Sequence, residues 1–350
     1  MVNVLIVEDS PVVREFLVYI LSSDPDVRVI GVAHNGEEAV EAVRLKQPHV
    51  VTMDIHMPKL NGFDATRRIM QTTPVPIVIV SGSSTAEEVA TTFQALEAGA
   101  LAVVRRPVGM GHPNHETAAK ELVQTVKLMS EVKVVKRWPR PQHKLGASLE
   151  LPPAVERKKQ DTEIRLVCIG ASTGGPVVIQ SILSVLPKDF PVPIVIVQHM
   201  AEGFVHGFAD WLAQSSPIPV RVATQGEQLL PGRVYVAPDG YHTRVRADGR
   251  IELRKDNPDN GLRPSVAALF RSAAEAFGPS VIGVLLTGMG TDGAEELKHM
   301  KDAGAVTIAQ NKETSIVHGM PGEAIRLDAA TYVLSPERIA TAVLNLVRKT

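Results

Sequence analysis

The sequence predicts an α/β protein in which two domains, each built on a mostly parallel β-sheet, are joined by a linker. Short apolar runs alternate with amphipathic helical patterns in the first third of the chain, which indicates a doubly wound parallel sheet. A stretch rich in proline and basic residues follows, and buried strands then resume. The 350 residues are enough for two hydrophobic cores. We predict a first domain at residues 1–127, a linker at 128–160 and a second domain at 161–350.

Composition and charge narrow the function classes. The hydrophobic content of 44% indicates a globular protein, and the formal net charge of −1 gives no electrostatic reason to expect nucleic acid as a partner. Cys168 is the only cysteine, which excludes a disulfide within the chain and fits a reducing, cytoplasmic location. The first residues reach the acids Glu8 and Asp9 directly after a short apolar run, which does not resemble a signal peptide. The sequence contains no stretch of about 18 apolar residues, so we expect no membrane insertion.

The first domain is predicted to contain five strands and five helices. The apolar runs that we assign to strands lie at residues 2–7, 27–33, 50–53, 77–80 and 102–104. Between them, segments such as residues 36–46 and 86–98 carry apolar residues at helical spacing. This alternation predicts a flavodoxin-like sheet, whose ligands bind beyond the carboxyl ends of the first and third strands.

Charged and hydroxyl side chains follow those strands. Glu8 and Asp9 come after the first strand and Asp54 after the third, and three adjacent carboxylates repel one another unless a cation such as Mg²⁺ joins them. Ser81 and Arg106 follow the fourth and fifth strands. We predict Mg²⁺-dependent phosphorylation of Asp54, with Ser81 and Arg106 binding the phosphoryl oxygens. Each acid taken singly is explained as well by a helix cap or a loop charge.

This domain resembles the response-regulator receiver family over essentially its whole length. The matching segments are Glu8-Asp9-Ser10, Met53-Asp54-Ile55-His56-Met57-Pro58, Asn61-Gly62 and residues 99–107. The resemblance implies that a histidine kinase of the CheA type phosphorylates Asp54, and that the backbone carbonyl of His56 is a further Mg²⁺ ligand.

Two positions depart from the receiver pattern. Arg106 stands where the family has Lys, and a guanidinium is not equivalent to the point charge of an ammonium group. Val103 stands where the family has its switch aromatic residue. We therefore expect a receiver that accepts phosphate but signals through altered contacts.

The linker is predicted from its composition. Residues 131–160 contain eight Lys or Arg, three Glu and several prolines, with few apolar clusters. Such a segment is typical of a solvated tether without a core. The alternative is that its basic residues and Trp138 dock onto an acidic surface of a domain or partner.

The second domain begins with a strand-to-helix corner. Residues 164–176 pass from an apolar run into a glycine-rich turn and then a helical pattern, which places Ser172 on the corner. Backbone N–H groups and the positive helix end surround such a hydroxyl, as a serine nucleophile requires. A phosphate-binding turn is the alternative interpretation of this stretch.

Two further buried strands end in candidate catalytic residues. Residues 193–197 lead to His199, and residues 281–286 lead to a glycine-rich turn that contains Asp292. A lone His at a strand end is usually structural, and Asp292 is equally placed to cap the helix that begins near Ala294. Together with Ser172, however, one sheet edge would present a Ser-His-Asp triad. The glycine-rich turn then offers N–H groups for an oxyanion.

Other hydrolase classes fit less well. The chain order Ser, His, Asp differs from that of α/β-hydrolases, and the histidines show no zinc-binding spacing. Between the His and Asp segments we predict a smaller β-rich section with strands at residues 233–236, 243–246 and 251–254 and a hairpin turn at 247–250.

The second domain resembles the catalytic domain of the CheB family of chemotaxis methylesterases. The matching segments are Gly170-Ala171-Ser172-Thr173-Gly174-Gly175, Gln198-His199-Met200, Arg263-Pro264-Ser265-Val266, Leu286-Thr287-Gly288-Met289-Gly290 with Asp292-Gly293, and Ala309-Gln310-Asn311. The resemblance implies Ser172 as nucleophile, His199 as base and Asp292 as its partner. It also implies an oxyanion hole at the Met289 amide with Thr173 nearby.

The two resemblances together imply a phosphorylation-regulated protein-glutamate methylesterase. Its substrates would be methyl-accepting chemotaxis receptors, it would also deamidate receptor glutamines, and the esterase reaction would need no cofactor. In the family, the unphosphorylated receiver obstructs the active site. The alternatives are a response regulator that docks on receptors without catalysis, and the same esterase chemistry serving a signalling array outside chemotaxis.

Overall fold

The computed structural model describes residues 1–82, 86–132, 134 and 162–348. The chain divides into two compact units, Met1–Lys144 and Leu145–Thr350. Each unit has its own parallel sheet, as the sequence predicts. Within the described residues, no helix is both long enough and apolar enough to cross a membrane.

The first unit is a five-stranded parallel sheet flanked by helices. In chain order its elements are β1 (Val2–Val7), α1 (Pro11–Ser22), β2 (Val27–Ala33), α2 (Gly36–Lys46), β3 (Val50–Met53), α3 (Gly62–Thr72), β4 (Ile77–Ser81), α4 (Ala86–Ala98), β5 (Ala102–Arg105) and α5 (His115–Ser130). The strand order β2-β1-β3-β4-β5 is the flavodoxin-like order, so the predicted fold is confirmed.

The burial of these strands explains why they could be predicted from apolar runs in the sequence. Every residue of β3 and β4 is buried, because helices cover both faces of a doubly wound sheet. Asn35 and Asn61 begin α2 and α3 by accepting hydrogen bonds from Glu38 N and Asp64 N. Helix α5 buries an apolar face and ends at Ser130, beyond the domain boundary predicted at residue 127.

The second unit is built on a larger parallel sheet. In chain order its strands are β6 (Leu166–Ala171), β7 (Ile194–Gln198), β8 (Val220–Val222), β9 (Val234–Val236), β10 (His242–Val245), β11 (Ile251–Arg254), β12 (Val281–Leu285), β13 (Val306–Gln310) and β14 (Tyr332–Leu334). Its helices are α6 (Gly175–Leu183), α7 (Val205–Ser215), α8 (Val266–Phe277), α9 (Ala294–Asp302), α10 (Met320–Arg326) and α11 (Pro336–Arg348).

Seven of these strands form one sheet in the order β14-β13-β12-β6-β7-β9-β8, and β10 and β11 form a separate antiparallel hairpin. One prediction needs correction here. The strand predicted at residues 233–236 does not belong to the smaller section, because β9 pairs parallel with β7 in the main sheet. The hairpin turn at residues 247–250 closes as predicted, with Arg246 N donating to Arg250 O.

The sheet order places the candidate site. The chain moves outward from β6 through β7, and later returns to the other side of β6 as β12. The strand order therefore reverses between β6 and β12, and ligands of open α/β sheets bind beyond the carboxyl ends of strands at such a point. All residues of β6, β7 and β12 are buried, so this edge is a rigid platform.

Candidate functional site

Ser172 lies on a tight turn between β6 and α6. Its N–H donates to Thr287 O at 3.0 Å, and its own carbonyl accepts from Gly175 N at 2.8 Å. Gly174 adopts a φ of 80°, and a Cβ on Gly175 would lie 2.7 Å from the Ala171 Cβ. The paired glycines thus allow the close turn that presents the Ser172 hydroxyl at the sheet edge. That hydroxyl has no hydrogen-bond partner among the described residues.

His199 follows the neighbouring strand β7. Its N–H donates to Ala171 O at 2.9 Å, which ties its backbone to the residue before Ser172. Its side chain is 11% exposed, and Nε2 lies 2.8 Å from Asp292 Oδ2. The angle at Nε2 is too bent for a hydrogen bond, so Nε2 has no hydrogen-bond partner in the described part of the chain.

Asp292 is the most constrained residue of the three. Its side chain is 4% exposed, and it accepts hydrogen bonds from Val266 N at 2.7 Å and Ala267 N at 3.1 Å. These N–H groups belong to the first turn of α8, where the helix dipole favours a negative charge. The alternative role as N-cap of α9 is wrong, because Gly293 occupies that position. Asp292 instead holds the start of a different helix while facing His199.

The glycine-rich turn after β12 lies against the nucleophile. A Cβ on Gly288 would lie 2.7 Å from the Ser172 Cβ, so only glycine fits there. The Thr287 hydroxyl is fully buried. It accepts from Val317 N, and its single proton can be donated to either Thr173 O at 3.0 Å or Val317 O at 3.1 Å. The amides of Met289 and Thr173 donate no hydrogen bond to a described residue.

Two buried glutamines belong to this site and carry no role in the sequence analysis. Gln310, at the end of β13, accepts from Thr287 N at 2.8 Å through Oε1. Gln198, at the end of β7, lies beside both Ser172 and His199. A polar residue closing an otherwise apolar strand was the available signal.

The first unit brings Glu8, Asp9 and Asp54 together. One carboxylate oxygen from each lies within 4.8 Å of the others. Glu8 is 1% exposed, and its Oε2 has no hydrogen-bond partner among the described residues. Burial, followed by the charge of Asp54, raises the pKa of Glu8 to about 7. Burial also raises the pKa of Asp54.

The remaining predicted residues surround this cluster. Arg106 passes so close to Gly82 that a Cβ there would lie 2.2 Å from its guanidinium, and its charge only partly offsets the burial that raises the pKa of Glu8 and of Asp54. Ser81 is buried, with its Oγ 3.3 Å from Thr92 Oγ1. His56 also partly opposes the rise that burial causes in the pKa of Asp54. The carboxylates and Arg106 therefore form a site of mixed charge.

Comparison with known families agrees with both halves of this architecture. The CheB methylesterase family model matches residues 167–343. The response regulator receiver domain model matches residues 4–113. The chain belongs to the CheB methylesterase family. Both resemblances drawn from the sequence motifs are confirmed.

Relatives of similar length share both domains of the family. The chain is 58% identical over 348 residues to a protein of Nitrosospira multiformis named protein-glutamate methylesterase/protein-glutamine glutaminase, covering 99% of this chain and 97% of that one. A Geobacter metallireducens protein of the same name is 58% identical over 347 residues, covering 99% of each chain. The Thermotoga maritima CheB methylesterase catalytic domain is a structural neighbour at 40% identity and a TM-score of 0.52, covering 53% of this chain and all of that one.

Proposed function

We propose that the chain is a phosphorylation-regulated protein-glutamate methylesterase that also deamidates glutamines. One observation carries the proposal. Ser172, His199 and Asp292 follow three neighbouring strands at the point where the sheet order reverses, with His199 Nε2 2.8 Å from Asp292 Oδ2. This combination of a hydroxyl, an imidazole and a buried carboxylate performs acyl transfer.

The reaction begins with attack of the Ser172 hydroxyl on the ester carbonyl while His199 removes its proton. Because Nε2 faces Asp292, Nδ1 is the ring nitrogen that receives this proton. The N–H groups of Met289 and Thr173 then donate to the tetrahedral oxyanion, where one lost donor costs about 2.7–4 kcal/mol of barrier.

Collapse of the tetrahedral intermediate breaks the bond to the methoxy group. His199 returns its proton to the departing oxygen, and methanol leaves. Water then attacks the acyl-Ser172 and loses a proton to His199. The bond to Ser172 Oγ breaks, His199 returns the proton to this oxygen, and the glutamate side chain is released as a carboxylate. With a glutamine substrate the same acyl-enzyme forms and ammonia leaves instead.

The substrate and the alternatives can be separated by two measurements. The proposed substrates are methyl-accepting chemotaxis receptors, whose glutamyl esters lie on cytoplasmic helices, so the protein acts in the cytoplasm. Release of labelled methanol from receptor-containing membranes tests this directly. A serine-directed phosphonate that labels Ser172 would argue against a docking module without catalysis. Labelling of Ser172 without methanol release would favour an array outside chemotaxis.

The first unit supplies the proposed switch. A histidine kinase of the CheA type phosphorylates Asp54, and phosphorylation relieves obstruction of the active site by the receiver. Arg106 and Ser81 bind the phosphoryl oxygens; a guanidinium can offer two parallel donors where an ammonium group offers a point charge.

Phosphorylation of Asp54 has a direct test by mass spectrometry. Incubation with a small phosphodonor and Mg²⁺ is expected to add one phosphoryl group to the wild-type chain, because Asp54 lies beyond the end of β3 beside Glu8 and Asp9. Asp54→Asn is expected to gain none, while Asp64→Asn, at a half-buried acid of α3, is the matched control and gains one. A mass gain in Asp54→Asn would assign the phosphoryl group to another residue.

The acid cluster fits Mg²⁺. The unpartnered Glu8 Oε2 and the three oxygens within 4.8 Å form an oxygen-only donor set of the kind that Mg²⁺ prefers. Glu8, Asp9 and Asp54 would hold the ion together with the His56 carbonyl, and the bound ion supplies charge neutralisation for phosphoryl transfer. The proposed steps of the esterase reaction use only side-chain and backbone groups of the chain.

The raised pKa of Glu8 predicts how Mg²⁺ affects stability at different pH. Without Mg²⁺, the folded protein holds this proton more tightly than the unfolded chain, so stability falls as the pH rises from 4.5 through about 7. Mg²⁺ replaces the proton, so it should raise the unfolding temperature of the full chain more at pH 8 than at pH 6. Glu8→Gln should remove this difference. Equal shifts at both pH values in the wild type would contradict the prediction.

A further inference from the structure

Gln198 is a buried polar residue that the reaction described above does not use. It is 5% exposed and is the last residue of β7, directly before the base His199. In the sheet register it lies opposite Ala171, the residue directly before the nucleophile. Its side chain therefore lies between the two residues that must exchange a proton.

Both N–H groups of the Gln198 side-chain amide donate to the backbone carbonyls of catalytic residues. Nε2 lies 2.8 Å from Ser172 O and 2.8 Å from His199 O. A side-chain amide nitrogen has two N–H groups, so its donor capacity is spent on these two carbonyls. If the amide were flipped, Oε1 would face two carbonyl oxygens, which cannot donate a hydrogen bond. The orientation with Nε2 toward these carbonyls is therefore the correct one.

These bonds complete the restraint of both residues. Ser172 O also accepts from Gly175 N, so two donors hold this carbonyl. The N–H of His199 is bound to Ala171 O, and Gln198 binds its carbonyl, so both peptide groups that flank its Cα are fixed. The directions in which Ser172 and His199 project their side chains depend on these peptide planes.

The Gln198 side chain also explains why position 175 in the turn after Ser172 is a glycine. A Cβ on Gly175 would lie 2.2 Å from Gln198 Oε1, so this side chain occupies the space that a larger residue would need. Oε1 is buried without a hydrogen-bond partner among the described residues and lies at the start of α6, where the positive end of the helix dipole partly compensates it. A buried oxygen without a hydrogen-bond donor lowers the stability of the fold. The presence of Gln198 despite this cost indicates that the hydrogen bonds donated by its Nε2 have a function.

We propose that Gln198 is a positioning residue that links the nucleophile and the base through their main-chain carbonyls. The inference rests on the proposed esterase function and goes beyond it. A displacement of about 1 Å in a reacting group costs up to about 100-fold in rate, so the loss of this link should lower kcat without altering substrate affinity.

The test compares two variants of the full chain that each lose more than one buried side-chain hydrogen bond. Gln198→Met keeps the length of the side chain and removes both donors. Thr307→Val is the matched control on β13, where the fully buried hydroxyl donates to Ala329 O, outside the catalytic residues. Methanol release gives kcat and KM, phosphonate labelling gives the reactivity of Ser172, and thermal unfolding gives the stability of each variant.

Gln198→Met is expected to lower kcat and the phosphonate labelling rate by about 10- to 100-fold, with KM within about twofold of wild type. Thr307→Val should lose stability and retain kcat. A kcat for Gln198→Met within twofold of wild type, or equal losses of kcat in both variants, would overturn the inference. Should Gln198→Met fail to fold, Gln198→Asn replaces it, since its shorter amide cannot reach both carbonyls; the same limits apply. Absence of methanol release in the wild type would instead refute the proposed function.

Discussion

Ser172→Ala is expected to lower the kcat of ester hydrolysis by about 10⁵- to 10⁶-fold, the range seen when a serine nucleophile is removed from a triad that acts as a unit. The remaining activity would come from the oxyanion donors and from substrate binding. The hydroxyl makes no hydrogen bond to a described residue, so the unfolding temperature should stay within about 1 °C of wild type. The variant would thus separate catalysis from stability.

Initial rates of methanol release and labelling by a serine-directed phosphonate measure this effect. Ser181→Ala is the matched control, because Ser181 is an exposed serine of α6 whose hydroxyl donates only to Val178 O at 2.8 Å. It should retain both activities. More than about 1% of wild-type kcat in Ser172→Ala would show that another group is the nucleophile.

Asp292→Asn is expected to lower kcat by about 10⁴-fold, as in a triad whose histidine is held in the wrong tautomer. It should also destabilise the fold by about 1–3 kcal/mol. Asp292 Oδ2 accepts from Val266 N and faces His199, and Oδ1 accepts from Ala267 N. The asparagine amide has only one oxygen to accept these hydrogen bonds. In one orientation its NH₂ group faces the N–H of Ala267, and in the other its NH₂ group faces the N–H of Val266 and the ring of His199.

The control for this variant is Glu295→Gln. Glu295 is an exposed acid in the first turn of α9, so the same change from acid to amide should leave kcat and stability close to wild type. Chemical denaturation measures the stability of both variants, and initial rates measure their kcat. An Asp292→Asn variant with kcat within tenfold of wild type would contradict the assigned role.

Much of the fold was predictable because its central strands are buried on both faces. The predicted bounds of the central strands β1 and β3 equal those observed. Such strands appear in the sequence as unbroken apolar runs, and their carboxyl ends then locate the residues that share an edge. The positions of Ser172 and His199 relative to one another follow from this reasoning alone.

Other features depend on tertiary contacts that sequence spacing does not encode. Strands β8 and β14 are three residues long and stand at the two edges of the sheet, where partial exposure removes the apolar signal. The binding of Asp292 to the start of α8 joins residues 26 apart. The link made by Gln198 requires the register between β6 and β7, because it depends on which carbonyls lie within reach.

Methanol release from receptor-containing membranes with labelled methyl esters, measured with and without phosphodonor for the wild type and for Asp54→Asn, tests the central claim most directly. We expect release by the wild type to rise with phosphodonor, while Asp54→Asn stays at its basal rate under both conditions. Methanol release that is absent from the wild type would contradict the assignment of methyl-accepting chemotaxis receptors as substrates. Release that ignores phosphodonor, or that rises equally in Asp54→Asn, would contradict control through Asp54.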